Sequence, residues 1–453
     1  MELTAGTSRG NPGAGGFAQW LARFAAQRPL LVTAVGGTGC RLAVERVMRE
    51  RGLRGALAPS EADTLLECGP PGTAADGAAE RVWDQMGEPR ARVRVRAADE
   101  AADRIDEARA ALLDLPAQRR AARRRLGADR AEAHADQHDQ HERCQGDQHA
   151  PGGHGGHGGG KLPGGMEMAD RGDDRDGLKL DRLHIAVGPA QSDWPAGLVA
   201  ELTVQGDVVQ EARLHTHAHA PGGAAVFWDH TAREVLDPAA VRFRAAAAAD
   251  SLQRFLAVAG WPSAAATGRL LRDHLLAPEE VVTGRLRFTR WLRRVRSSRT
   301  LRWSVRGLGR APDRLPDAPS GSLPAVGGDG GVHPASGFLT RGSPLPTRLR
   351  GDVAERIRHW FDDIAAVVMP DTSDTFLAPP IQREPGGPPS GGPLSAPPLP
   401  PLGRERADCA LAATAVLPGM LVGVDLAAAR LVVASFDPDM EALAAYGGET
   451  GHG

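Results

Sequence analysis

The segment that most restricts what this chain can fold into runs from Leu30 to Met48. Its first part, Leu30-Leu-Val-Thr-Ala-Val35, is apolar enough to predict a short strand covered on both faces. Gly36, Gly37 and Gly39 then allow a sharp turn and a close approach of the backbone to a ligand. Leu42, Val44 and Val47 give the spacing of a helix, read as opening on Cys40. A thiol at a helix N-terminus sits in a positive field, which favours the thiolate that metal and sulfide chemistry needs. Gly37, Gly39 and Cys40 are therefore the candidate cofactor-binding residues, with Cys40 itself read as a small buried hydrophobe near a helix start in preference to a ligand or nucleophile, because no His–Asp or His–Asn partner is placed by motif to activate it. The loop is not a phosphate-binding P-loop, because no Lys-Ser/Thr pair follows. It is not a full dinucleotide fingerprint either, since Leu42 occupies the third glycine position.

Around this segment strand and helix patterns alternate: a strand at Ala62–Glu67, a helix at Ala74–Met86, a strand at Arg90–Arg96 and a helix at Asp99–Leu113. That alternation predicts a parallel sheet with helices on its faces, whose ligands sit at the carboxyl ends of the strands. Ahead of it, Phe17, Trp20, Leu21 and Phe24 predict a core-packing helix over 17–27. Residues 1–115 are thus read as an α/β domain. From Arg119 to Arg130 the chain is a basic arm, read as a solvated helix face because no aromatics interleave with its arginines.

A compositional break follows. His134, His138, His141, Cys144, His149, His154 and His157 lie in a polar, glycine-rich segment with nothing to bury, so 116–177 is read as a basic arm plus a disordered linker. Imidazole and thiol at these spacings suit Zn²⁺, Ni²⁺ or Cu ions, held weakly and exchangeably because nothing fixes a geometry, a reading that stands second to a solvated linker whose histidines titrate near neutrality. These seven residues are the candidate metal ligands.

Residues 178–446 are read as an α+β domain. Asp181–Pro189 and Gly197–His215 alternate as antiparallel strands with one covered face, turning at Gln205-Gly-Asp207. His215, His217 and His219 would share one side of a strand, as a polar edge in preference to a metal patch. Helical runs follow at Ala239–Gly260, Ala264–Leu276, Arg285–Val305, Asp352–Val368, Ala407–Leu417, Leu421–Val433 and Asp437–Tyr446. Pro/Gly-rich loops fill 311–346 and 376–401, and 447–453 is a tail. The arginines from Arg285 to Arg310, with Trp291 and Trp303, are read as a helix that docks within the assembly or on a partner, in preference to a nucleic-acid surface.

Composition narrows the function classes. With 56 glycines and 35 prolines in 453 residues, long linkers between folded pieces are expected. A formal charge of −2 gives no global field to recruit nucleic acid or anionic membrane. The run Cys409–Val424 is too short to span a bilayer, and no basic segment followed by an apolar one marks a secretory signal near Met1. The four cysteines show no disulfide-scaffold spacing, and a cytoplasmic protein is expected.

Several phrases together resemble a known system. Ser60-Glu-Ala-Asp-Thr-Leu-Leu-Glu-Cys-Gly69 and Ala79-Glu-Arg-Val-Trp-Asp-Gln-Met-Gly-Glu-Pro-Arg90 resemble the subunit of respiratory complex I (NADH:quinone oxidoreductase) that carries its terminal iron–sulfur cluster. The second half resembles the partner subunit that shapes the quinone pocket and is kin to the NiFe-hydrogenase large subunit. Its phrases are Val187-Gly-Pro189 to Val209, Gly351-Asp-Val-Ala-Glu-Arg-Ile357, Leu417-Pro-Gly-Met-Leu-Val-Gly-Val-Asp-Leu426 and Ser435-Phe-Asp-Pro-Asp-Met-Glu441. The chain resembles a fusion of the two, with the His/Gly segment as the joint.

The departures from that pattern set the functional expectation. A 4Fe-4S cubane needs about four thiolates. The resemblance carries over one ligand position, Cys40, where the family has an adjacent cysteine pair, and no cysteine stands between Arg90 and Arg143. The family's Gly-Pro-x-His-Pro-x-x-His turn is replaced by Gly188-Pro-Ala-Gln-Ser-Asp-Trp-Pro-Ala-Gly197, without either histidine. The tyrosine that family uses on the quinone has no counterpart, since the single tyrosine is Tyr446. The resemblance therefore implies an oxidoreductase-like accessory or assembly component without cluster or quinone chemistry. It would partner complex I or hydrogenase-type subunits and could meet the inner face of the cell membrane through them. The alternatives are a Ni/Zn-handling protein that uses the histidine segment, and an active electron-transfer subunit completed by a partner chain.

Calorimetric titration with Ni²⁺ and Zn²⁺ separates the metal reading from the rest. If the histidine segment handles metal, the intact chain binds at micromolar concentration and a chain lacking 134–160 does not; equal heats from both remove that reading.

Overall fold

The structure is a computed structural model describing residues 27–71, 74–127, 171–173, 179–216, 226–229, 238–277, 281–316, 342–369 and 402–447. The chain forms two compact units, one from residues 1–71 and 75–170, the other from 171–453 with the short piece 72–74. Outside the described residues lie all but the last residue of the expected helix over 17–27, the histidine segment, most of the Pro/Gly-rich loop 311–346 and all of the loop 376–401.

The first unit is a three-stranded parallel sheet in the order β1 (Pro29–Thr33), β2 (Thr64–Cys68), β3 (Ala91–Val95). Helix α1 (Thr38–Glu50) links β1 to β2, and α2 (Ala74–Gln85) links β2 to β3. Helix α3 (Ala101–Leu113) follows β3 after a 3₁₀ turn at Ala98–Glu100. Side chains alternate across each strand, so the sheet has two distinct faces. On one, Leu66, Cys68, Val93 and Val95 form an apolar cluster with Cys40, Val44 and Met48 of α1 and Ile105 of α3. The other face carries Glu67, Arg92 and Arg94 beneath α2. Both arginines bond the buried Glu67 carboxylate, and they reach on to Glu80 and Asp76 of α2 at 2.7 and 2.8 Å. A charged sheet face under a helix is stable only because each buried charge is paired.

The basic arm is a helix, α4, over residues 115–127. It docks through Gln118, which exchanges two 3.0 Å bonds with the Arg90 backbone, and through Arg125, which donates to the Met86 carbonyl at the end of α2 (2.8 Å). Arg119, Arg120, Arg123 and Arg124 are exposed, the solvated face the sequence predicts.

The second unit pairs a four-stranded antiparallel sheet with a bundle of helices. Strands β4 (Arg171–Asp173), β5 (Lys179–Val187), β6 (Leu198–Gln205) and β7 (Val208–Thr216) pair in that order. Strand β4 lies inside the stretch read as linker; its three residues gave no alternation for the sequence to reveal. The β6–β7 hairpin turns at Gly206, whose φ of +64° belongs to the left-handed region. Leu198, Ala200, Leu202 and Val204 are buried, as the alternation predicts.

Helix α5 (Pro238–Val258) is the centre of the bundle. Residues 245–249 are all alanine and all buried, and α6 (Pro262–Leu276), α9 (Val353–Val368) and α11 (Leu426–Phe436) pack against it. A helix hydrophobic all round is one enclosed by its neighbours. At Gly268 an added Cβ would lie 2.8 Å from the Gln253 Cβ, so the α5–α6 crossing depends on that glycine. The expected single run Arg285–Val305 is two helices, α7 (Val281–Arg296) and α8 (Arg299–Val305). Ser298 interrupts them and caps α8 by accepting from the Leu301 N–H. Its two tryptophans part company: Trp291 is buried and donates to the Ala264 carbonyl (3.1 Å), whereas Trp303 is 82% exposed. Helix α10 (Leu402–Leu421) runs through Pro418 into its last turn, longer than the sequence indicates, and α12 (Met440–Gly447) completes the unit.

Gly37 is the tightest backbone contact of the first unit. A Cβ there would lie 2.3 Å from the Cys68 carbonyl oxygen, so Gly37→Ala should cost about 3 kcal/mol or more. Gly52→Ala, at a φ of +67° in open space, should cost only about 1 kcal/mol. Hydrogen exchange of the β1–β3 amides reads both.

Candidate functional site

The glycine loop comes first because the sequence singles it out. Helix α1 starts at Thr38, not at Cys40, so Cys40 is its third residue and Gly39 its second. The helix phase there turns the thiol inward: Cys40 is buried in the apolar cluster that also holds Cys68. Burial, and after it the neighbouring Cys40, push the Cys68 thiol above its ordinary range. The close approach that Gly37 permits is to the chain's own backbone. Gly37 meets the Cys68 carbonyl, and Gly69, at a φ of +111°, would put a Cβ 2.8 Å from the Gly37 Cα. The Ala34 N–H donates to the Cys68 carbonyl at 2.9 Å, closing the carboxyl ends of β1 and β2 onto each other. Arg41 and Glu45 pair at 3.0 Å along α1. His134, His138, His141, Cys144, His149, His154 and His157 lie outside the described residues, as do His217 and His219. His215 pairs with Glu201 on the neighbouring strand at 2.9 Å, a polar strand edge.

A second site, which the sequence did not single out, lies in the helical unit. A cavity of about 70 Å³ opens between α5, the 3₁₀ turn Thr347–Leu349, α9, α10 and the end of α11. Its walls carry an ordered set of ion pairs. Arg348 grips Asp363 through two bonds (2.7 and 3.1 Å) and reaches Glu405 at 2.7 Å; the other Glu405 oxygen takes Arg244 at 2.7 Å. Burial lowers the Arg348 guanidinium, but the bond and charge of Asp363 outweigh it and hold the group above its usual range. Arg406 bonds Asp439 at 2.7 Å; against the lowering effect of burial, Asp439 and then Asp437 raise it. Asp437 ends α11 at a φ of +44°, a left-handed conformation that aspartate tolerates better than most residues. It accepts from Ser251 and from Arg254. Cys409 lies on the wall, and burial pushes its thiol up to about 12.

Arg356 stands apart from this set. Its side chain is 1% exposed, and no described carboxylate comes within ion-pairing distance of it. Its Nε donates to Ser435 Oγ at 3.0 Å, Nη1 to the Gly351 carbonyl at 2.7 Å and Nη2 to the Gly309 carbonyl at 2.9 Å. The guanidinium lies over the Phe436 ring at 4.2 Å. Burial pulls it down to about 9; Asp352 and Glu355 oppose this from a distance. Those two carboxylates are engaged with each other's backbone N–H in the capping box that starts α9. The signal in the sequence was a cation three residues after Val353, on the apolar stripe that continues through Ile357, Phe361 and Ile364.

Tyr446 is engaged elsewhere, donating to the Asp229 carboxylate at 2.6 Å. Among the described residues no group of three or more His, Cys, Asp or Glu side chains converges as metal ligands would, and no described helix is long and apolar enough to cross a membrane. No protein family, curated protein or solved structure matches the chain.

The burial of the thiols has a direct readout. Iodoacetamide at about pH 8 should leave Cys40 and Cys68 unlabelled in the native protein and label Cys409 slowly, with all three labelled in urea, as peptide mass spectrometry will show.

Proposed function

We propose that this chain is a fused relative of the complex I cluster subunit and its quinone-site partner, kept as an accessory or assembly component and not as an electron carrier. The observation that carries this reading is the position of Cys40. The thiol that the resemblance assigns to a cluster packs among Val44, Met48, Leu66 and Cys68, where a cubane would have to displace apolar side chains. The order of family-like phrases supports the relationship. In the second unit, the helix that begins with Gly351-Asp-Val and the Ser435-Phe-Asp437 turn wall the same cavity. The phrase ending at Leu426 joins the hairpin phrase at Val209, whose N–H donates to the Val424 carbonyl (2.9 Å) and whose carbonyl accepts from the Gly423 N–H (2.8 Å). On this reading the chain occupies a subunit-like place among complex I or hydrogenase-type proteins, and reaches the membrane face only through them.

Two measurements test the proposal. Anaerobically purified protein should hold iron and acid-labile sulfide far below one cluster per chain and give no EPR signal on reduction. A pull-down from the native host should bring complex I or hydrogenase-type subunits with it. Stoichiometric iron and sulfide would overturn the loss of the cluster, and a pull-down without such subunits would overturn the placement.

A further inference from the structure

A buried arginine normally brings its counter-charge with it, because an ion taken out of water costs several kcal/mol unless paired. In the helical unit every other guanidinium on the cavity wall has done so: Arg244 and Arg348 share Glu405, Arg348 also holds Asp363, and Arg406 has Asp439. Among the described residues Arg356 is the guanidinium of that wall with no carboxylate within ion-pairing distance. Three of its five N–H donors are taken by Ser435 and two carbonyls, which leaves one N–H on each Nη. The group is fixed in place by Phe436 and those three acceptors, so the side chain needs no further ordering to receive a ligand.

From this unmatched, preorganised guanidinium on the wall of an open cavity, we infer that the cavity binds a small, singly charged oxyanion, with Arg356 as its principal contact. A carboxylate or a monobasic phosphate presents two oxygens side by side, the pattern a guanidinium fork recognises. The size limit follows from the cavity, whose roughly 70 Å³ has room for a few water-sized groups and thus for an acid of a few heavy atoms. The charge limit follows from Arg356 being a single cation without a carboxylate partner among the described residues. A dianion would leave a buried negative charge unmatched, and a neutral molecule would leave Arg356 as it stands. Ala247 and Ala248 line the α5 side and keep the space open. The inference stands on Arg356 and the cavity and does not require the family relationship, so the iron analysis and the pull-down leave it untouched.

The test is titration of the full chain with sodium acetate and with sodium phosphate near pH 6, at ionic strength held constant with sodium chloride, followed by calorimetry and by the melting of the helical unit. A saturable response is expected, with Tm rising by about 5 °C at a hundredfold excess over Kd. The stronger of the two anions identifies the ligand as carboxylate or phosphate. Arg356→Gln should abolish the response, and the exposed control Arg310→Gln should retain it. Because Arg356 also ties down two loop carbonyls, Ala248→Val serves as a second variant; it fills the cavity, keeps the cation and should weaken binding at least tenfold. No saturable response to either anion overturns the inference, as does an unchanged response in folded Arg356→Gln or in Ala248→Val.

Discussion

A guanidinium deprived of water must find its hydrogen bonds and its counter-charge inside the protein, and the helical unit is arranged around that requirement. Arg272 and Arg356 are both almost wholly buried, and they meet it in different ways. Arg272 is neutralised on the spot: its Nη1 bonds Asp250 of α5 at 2.8 Å, and its Nε and Nη2 bond Asp273 at 3.0 and 2.8 Å. This ion set lies in the α5–α6 interface beside the Gly268–Gln253 contact, so the crossing is specified by shape and charge together. Removing one partner of such a buried set would leave a charge stranded, at a cost of about 3–5 kcal/mol. Arg356 has hydrogen bonds and an aromatic face without a counter-charge among the described residues, and it lines the cavity.

The alanine run in α5 makes both arrangements possible. Because residues 245–249 are all alanine, α6, α9 and α11 pack close enough for arginines rooted on one helix to reach carboxylates and hydroxyls on another. Arg254 and Arg406, from α5 and α10, converge on Asp437 at the end of α11. A bundle built on large apolar side chains would hold its helices too far apart for these bonds. The stability of the unit therefore rests on a satisfied polar network as well as on apolar burial, and the site is part of that network.

The first unit follows the opposite plan on one face of its sheet. There the thiols that would attract attention in a redox protein serve as small apolar side chains, packed with valines and methionine. Raising a thiol's pKa by burial removes the thiolate, the form that attacks or ligates. The charged face beneath α2 is knit by Glu67 between Arg92 and Arg94, residues that alternate with the apolar ones along β3. The same strand thus supplies an apolar face and an ionic one by the two-residue period of its backbone.

Local pattern was enough to read most of the architecture. The strands around Leu66 and Val93, the amphipathic stripe from Val353 to Ile364 and the Gly206 turn each rest on a few residues, and each formed as expected. The parallel and antiparallel sheets follow from those patterns. Short-range reading failed where a terminus is set by a single hydrogen bond, as at Ser298, or where a strand is only three residues long, as at Arg171–Asp173. The cavity was beyond it for a different reason. Arg356 takes its partners from 5, 47 and 79 positions away, and Glu405 joins Arg244 across 161. By itself the sequence determined most of the described strands, helices and turns, and which of its thiols and histidines deserved scrutiny. Only the tertiary structure decided which side chains surround the buried Cys40 and that, among the described residues, Arg356 is buried without a carboxylate in ion-pairing distance, because pairing and burial depend on which distant segments the fold brings together.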